Sequence, residues 1–167
     1  MTRDREDLSL KYNYYFSPKT FSTAFLAYQR NLELGLQRRY QEGLGLGNKF
    51  ITSRFIYAFV RSGVAFNQEL STENVNSGLL SEVFCELQFN FFRFTKPEIS
   101  LDINQSIFFG IAQNGRFRND GDIDLTWEMI EDFNLNLGFY TNYDNQPPVK
   151  ENRKFDYGIV IGFSYSF

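Results

Sequence analysis

The closing segment, residues 155–167 (FDYGIVIGFSYSF), constrains the fold more than any other stretch. Every second residue is aromatic or aliphatic: Phe155, Tyr157, Ile159, Ile161, Phe163, Tyr165 and Phe167. The residues between them are small or polar apart from Val160: Asp156, Gly158, Gly162, Ser164 and Ser166. Side chains of a β-strand point to opposite faces with period two, so the segment is a strand with one greasy face. A strand crossing a bilayer needs about 9–11 residues, and this one is long enough.

The same alternation recurs along the chain. Strand-like segments are predicted over 8–16, 21–30, 36–51, 55–66, 79–94, 99–111, 121–131, 133–143 and 155–167, with no helix. Their connections alternate in length. Short ones (17–20, 52–54, 95–98, 131–132) face longer polar ones (30–35, 67–78, 112–120, 144–154). Outer-membrane barrels have short periplasmic turns and longer outside loops, so the expected fold is an all-β, antiparallel up-and-down transmembrane β-barrel over 1–167. Bacterial barrels close with an even strand number. Nine visible strands therefore lead one to expect at least one more upstream, about ten or more in all. Residues 1–7 (MTRDRED) have no apolar core of a signal peptide, so an exported chain is expected to have carried one upstream as well.

Composition removes several classes. The chain has no histidine and one cysteine, Cys85, which takes away the commonest general base and metal ligand and any internal disulfide. The net charge is −3 and no basic run exists, so no nucleic-acid partner is expected. No apolar run approaches the length of a transmembrane helix, which leaves a barrel as the only spanning structure. The run at 119–124 (NDGDID) lacks the downstream Glu of a calcium loop, and Gly43, Gly45 and Gly47 alternate along a strand rather than cradling a phosphate. No enzyme, no cofactor and no metal are expected.

Alternation alone leaves open which face is wet, since a soluble lipocalin-like, lipid-binding barrel would bury the apolar face. Glycines decide for the membrane: Gly43, Gly45, Gly47, Gly63, Gly138, Gly158 and Gly162 share the polar face, which suits a crowded interior. Aromatics stand at both strand ends, as interfacial girdles do. A hairpin centred on Ser53 would set Arg61 across from Gly45. The interior then collects Glu82, Glu86, Asp102, Asp124 and Glu128, together with Asp122, against Arg61, Arg39 and Lys11. Such a set is either the constriction of a cation-preferring pore or a salt-bridge network filling a narrow barrel. The expected role is a narrow passive pore or a structural, stress-responsive barrel. An alternative is a protein partner bound through the outer loops 67–78 and 144–154.

The runs LSLKYNYYFSPK (8–19), GLGLG (43–47) and FDYGIVIGFSYSF (155–167) resemble the YdiY-like salt-induced outer-membrane protein family, a domain of unknown function. The resemblance implies a bacterial outer-membrane location, with the lipid of that membrane around the chain. It also implies recognition by the barrel assembly machinery through the terminal strand, where Tyr165 and Phe167 stand as the assembly signal. It brings no catalytic residues and a loose association with salt or acid stress. Members of that family carry a signal peptide and further N-terminal strand sequence.

Overall fold

The computed structural model describes residues 5–111, 115–130, 132–149 and 153–165. Nine strands follow one another: β1 (Arg5–Tyr15), β2 (Thr20–Asn31), β3 (Leu36–Thr52), β4 (Ile56–Ser71), β5 (Asn76–Arg93), β6 (Ile99–Gly110), β7 (Phe117–Ile130), β8 (Phe133–Asp144) and β9 (Phe155–Tyr165). Each pairs antiparallel with the next in a single up-and-down sheet. The remaining element is one 3-10 turn, Leu32–Leu34. The Asn31 side chain accepts hydrogen bonds from the Glu33 and Leu34 backbone N–H groups, and Gly35 ends the turn with φ 71°.

The tops of β4 and β5 depart from the expectation of a long polar loop over 67–78. The strands run on through Ser71 and restart at Asn76, leaving a turn over 72–75. Asn67, Glu69 and Ser71 look like loop residues in sequence, yet they occupy alternate, buried positions of a tall hairpin. β7 likewise begins at Phe117, inside the predicted loop 112–120. The contrast in connection length between the two ends is therefore smaller than expected, and 145–154 is the longest connection. The β3–β4 register also differs. Gly45 faces Gly63 and Gly47 faces Arg61, because the turn is centred on Arg54 and Phe55 and a bulge intervenes between Lys49 and Ile51. Ser53 closes that turn by donating its N–H to the Ile56 carbonyl at 2.8 Å.

The sheet curls strongly but does not close on itself, since β1 and β9 do not pair. Its curl brings Lys11 of β1 to Glu86 of β5, 3.2 Å apart. At the end carrying the 32–35, 72–75, 111–116 and 145–154 connections, here the upper end, Asn31 of β2 donates to Asp156 of β9 at 3.0 Å. The convex face is greasy: Leu8, Leu10, Leu44, Ile159, Ile161 and Phe163 are each more than 60% exposed. The concave face is charged, and the two largest fully buried side chains are Arg61 and Arg118. Val160, Ser164 and Asp124 are exposed as well, because the lower inner face of β9 and its neighbours looks into the open seam.

One layer of the concave face is apolar, which the sequence reading did not place there. Phe25, Ala65, Phe84 and Phe108 form a buried cluster. The Phe25 and Phe84 rings meet edge to face at 5.3 Å. The glycines give these rings their seats. A side chain on Gly43 would strike Phe25 and one on Gly47 would strike Phe21. At Gly63 the obstacle is backbone: an added Cβ would run into the Leu44 carbonyl and the Gly45 Cα.

Candidate functional site: the charged interior

Three successive inward positions of β5, two residues apart as the strand period demands, set the layers of the interior: Glu82, Phe84, Glu86. Glu82 is fully buried and is gripped by Arg118 of β7, whose Nε and Nη2 donate to its two oxygens at 3.0 and 2.5 Å. Such a two-pronged guanidinium–carboxylate pair is stronger than a single contact and fixes orientation. Asn67 of β4 donates to the same carboxylate at 2.9 Å. The Arg118 guanidinium also lies over the Phe108 ring at 4.3 Å, tying the charged layer to the aromatic one beneath it.

Above this pair sits a second ring of charge. Arg39 of β3 donates to Glu69 of β4 at 2.7 Å and to Gln29 of β2 at 2.5 Å, with Asp144 of β8 at 3.6 Å. Arg116, in the 111–116 connection, donates to Asp144 at 2.6 Å and to Glu69 at 2.9 Å. Each of these four side chains is at most 4% exposed. Burial works against the charge of Arg116. The hydrogen bond to Asp144 and the attraction of Glu69 outweigh it, so its pKa stands above the ordinary arginine value. Below the aromatic layer, Arg61 of β4 donates to Glu86 at 2.5 Å and to Thr23 at 3.1 Å, and Lys11 joins Glu86 from β1. A buried charge is tolerated only when paired and hydrogen-bonded, and these groups meet that condition across strands that are far apart in sequence.

A family model described as "Protein of unknown function, DUF481" matches residues 1–167. The chain belongs to that family. No curated protein matches it in sequence. Membership brings no assigned activity.

Of the six residues singled out in the sequence, Arg61, Glu82 and Glu86 lie within these layers, while the other three stand apart. Asp102 of β6 accepts hydrogen bonds from Asn90 and from the Ser100 hydroxyl, the latter at 3.3 Å, and has no arginine partner among the described residues. Asp124 is exposed beside Gly138, its partner on β8. Glu128 is buried near the lower rim, where it accepts the backbone N–H groups of Glu98 at 3.1 Å and Asp132 at 3.4 Å. It therefore anchors the backbone at Glu98 and at Asp132. Tyr165 is exposed at the end of β9, and Phe167 lies outside the described residues.

Glu69, Arg116, Arg118 and Asp144 were missed for one reason. Each falls in a polar stretch read as loop. The signal was nevertheless present as period-two polarity: Asn67, Glu69, Ser71 on one strand, and Arg118, Asp120, Asp122, Asp124 on another. Among the described residues no three His, Cys, Asp or Glu side chains gather as a metal site requires, and the buried carboxylates are bound by guanidinium groups instead. Cys85 is exposed on the convex face and has none of the deep burial of these layers. The arrangement can hold strands together and occupy the axis.

Proposed function

We propose that the chain forms the wall of an outer-membrane β-barrel with a filled axis, a structural barrel rather than an open pore. One observation carries this reading: the molecule is inside-out, with arginines fully buried and Leu8, Leu10, Ile159 and Phe163 turned to the surroundings. Soluble monomers rarely leave large contiguous apolar patches exposed, whereas lipid-facing strands alternate apolar-out and polar-in. A soluble lipid-binding barrel would require the opposite orientation. β1 and β9 run in the same direction, so one further strand antiparallel to both would close the sheet at about ten strands. Barrels of roughly eight strands have interiors that side chains just fill, and a ten-stranded one is little wider. The stacked layers of Glu69–Arg116–Asp144, Glu82–Arg118, Phe25–Phe84–Phe108 and Arg61–Glu86 favour the plug over the constriction.

The test is conductance of the purified protein in planar bilayers. The native chain is expected to carry no steady current, and a chain with Phe25, Phe84 and Phe108 all changed to Ala is expected to leak. Steady ion flux through the native chain would overturn the filled-axis reading and return the pore. Membrane residence is tested separately, by heat-dependent migration on gels after detergent extraction.

A further inference from the structure

The convex face of β1–β4 is hollowed as well as greasy. A groove of about 570 Å³ is lined by Leu8, Leu10, Leu26, Tyr28, Tyr40 and Phe66. It runs downward past Leu44 into a second hollow of about 420 Å³, with Leu10, Leu26, Glu42 and Phe66 common to both. Directly above, sharing Tyr28, lies a polar hollow containing Arg30 and Arg38. Arg30 is held by Glu6 at 3.4 Å. Arg38 is exposed and has no carboxylate partner among the described residues. From Arg38 to Leu44 along β3 is six residues, roughly 20 Å of groove at the rise of a strand.

We propose that this groove seats a single anionic phospholipid, with its phosphate on Arg38 and Arg30 and an acyl chain lying against Leu26, Leu44 and Phe66. The inference rests on the membrane reading of the convex face. Its chemistry is the planar fork of a guanidinium, which matches phosphate oxygens bidentately. The Tyr28 and Tyr40 rings, 5.5 Å apart, stand at the level where head group gives way to chain, a position that amphipathic rings favour at membrane interfaces. A free guanidinium at the upper end of an apolar groove is the charge pattern of a lipid with one anionic head. A peptide partner would have to place an acidic residue at the same height and apolar side chains against Leu26, Leu44 and Phe66 below it. Glu42, between Leu26 and Phe66 in register, is the one charge on the groove wall among the described residues, and it lies well below the arginines.

The test uses the whole chain reconstituted into vesicles of phosphatidylcholine with a minority of phosphatidylglycerol, then released for native mass spectrometry of the lipids it retains. The native chain is expected to keep phosphatidylglycerol in preference to phosphatidylcholine. Arg38→Gln is expected to lower that retention about fivefold, the effect of one basic side chain near a lipid phosphate. Lys154→Gln, at an exposed lysine beyond β8, is the control and is expected to change nothing. Glu42→Leu, which makes the groove wall uniformly apolar, is expected to hold the lipid at least as well as the native chain. Equal retention of the two lipids, or an equal loss in Lys154→Gln, would overturn the lipid site while leaving the barrel intact. Weakened retention in Glu42→Leu would overturn the placement of the acyl chain. A chain that stays in water and never enters the vesicles would overturn the membrane reading and this inference with it.

Discussion

Arg118 and Glu82 show how a single side chain is committed to this fold. Both are essentially inaccessible; Arg118 also has Asp120 at 3.8 Å, while the Glu82 carboxylate takes its ion pair from Arg118. Arg118→Met would leave the Glu82 carboxylate buried without its counter-ion, and breaking a buried pair from one side costs about 3–5 kcal/mol. The double change Arg118→Met with Glu82→Leu should recover most of that loss, because removing both charges also removes the desolvation penalty. Urea unfolding of the detergent-solubilised protein reads both values. Glycine makes a second residue-scale prediction. Gly43→Ala presses only on the Phe25 ring, which can tilt at a cost of about 1–3 kcal/mol, as overpacking generally does. Gly63→Ala meets the Leu44 and Gly45 backbone, which cannot step aside without parting β3 from β4. It is expected to be the more damaging of the two by the same measurement.

At the scale of the element, β9 sets aromatic and aliphatic residues on one face against small or polar ones, apart from Val160, on the other. Ile161 points from its convex face and is 64% exposed. On a water-facing surface, Ile161→Arg would change stability by less than about 0.5 kcal/mol. Facing acyl chains near the bilayer centre, it would cost about 2–4 kcal/mol. Unfolding free energies in lipid vesicles decide between the two, with the larger penalty expected. Gly162, on the opposite face, has open room around it, with the nearest atom to an added Cβ at 3.9 Å in Asn136. A tolerated Ile161→Arg beside a ruinous Gly162→Arg would mean that the faces are assigned the wrong way round. The tall β4–β5 hairpin carries another element-scale lesson. Its polar residues are strand residues because a charged interior extends to the upper rim, and polarity there reports an inward face rather than a loop.

For the whole molecule, the single cysteine offers a label-based reading of orientation that needs no substitution. Cys85 is exposed on the convex face between Val83 and Leu87, both partly exposed. In a soluble sheet a water-borne maleimide would modify it readily in the native state. In vesicles the same thiol is expected to stay unmodified until the chain is unfolded in urea. Rapid modification in intact vesicles would place that face in water. The curl of the sheet is decided at this scale too, since it is carried by Asn31 to Asp156, which joins β2 to β9, and by Lys11 to Glu86, which joins β1 to β5.

Alternation by itself determined the strand count, the up-and-down order and which side chains share a face, because period two is a local property of an extended backbone and survives without any knowledge of partners. Gly43, Gly45, Gly47 and Gly63 were readable as interior positions for the same reason. What fills the space above them was not readable. Phe21, Phe25 and Phe84 needed the register of β2–β5 to be seen as inward, and Glu69, Arg116, Arg118 and Asp144 needed neighbours from strands tens of residues away to be told apart from loop polarity. Pairing register and the choice of ion-pair partner are long-range properties, set by a bulge at Lys49–Ile51 and by the curl of the sheet, and only the folded chain resolves them.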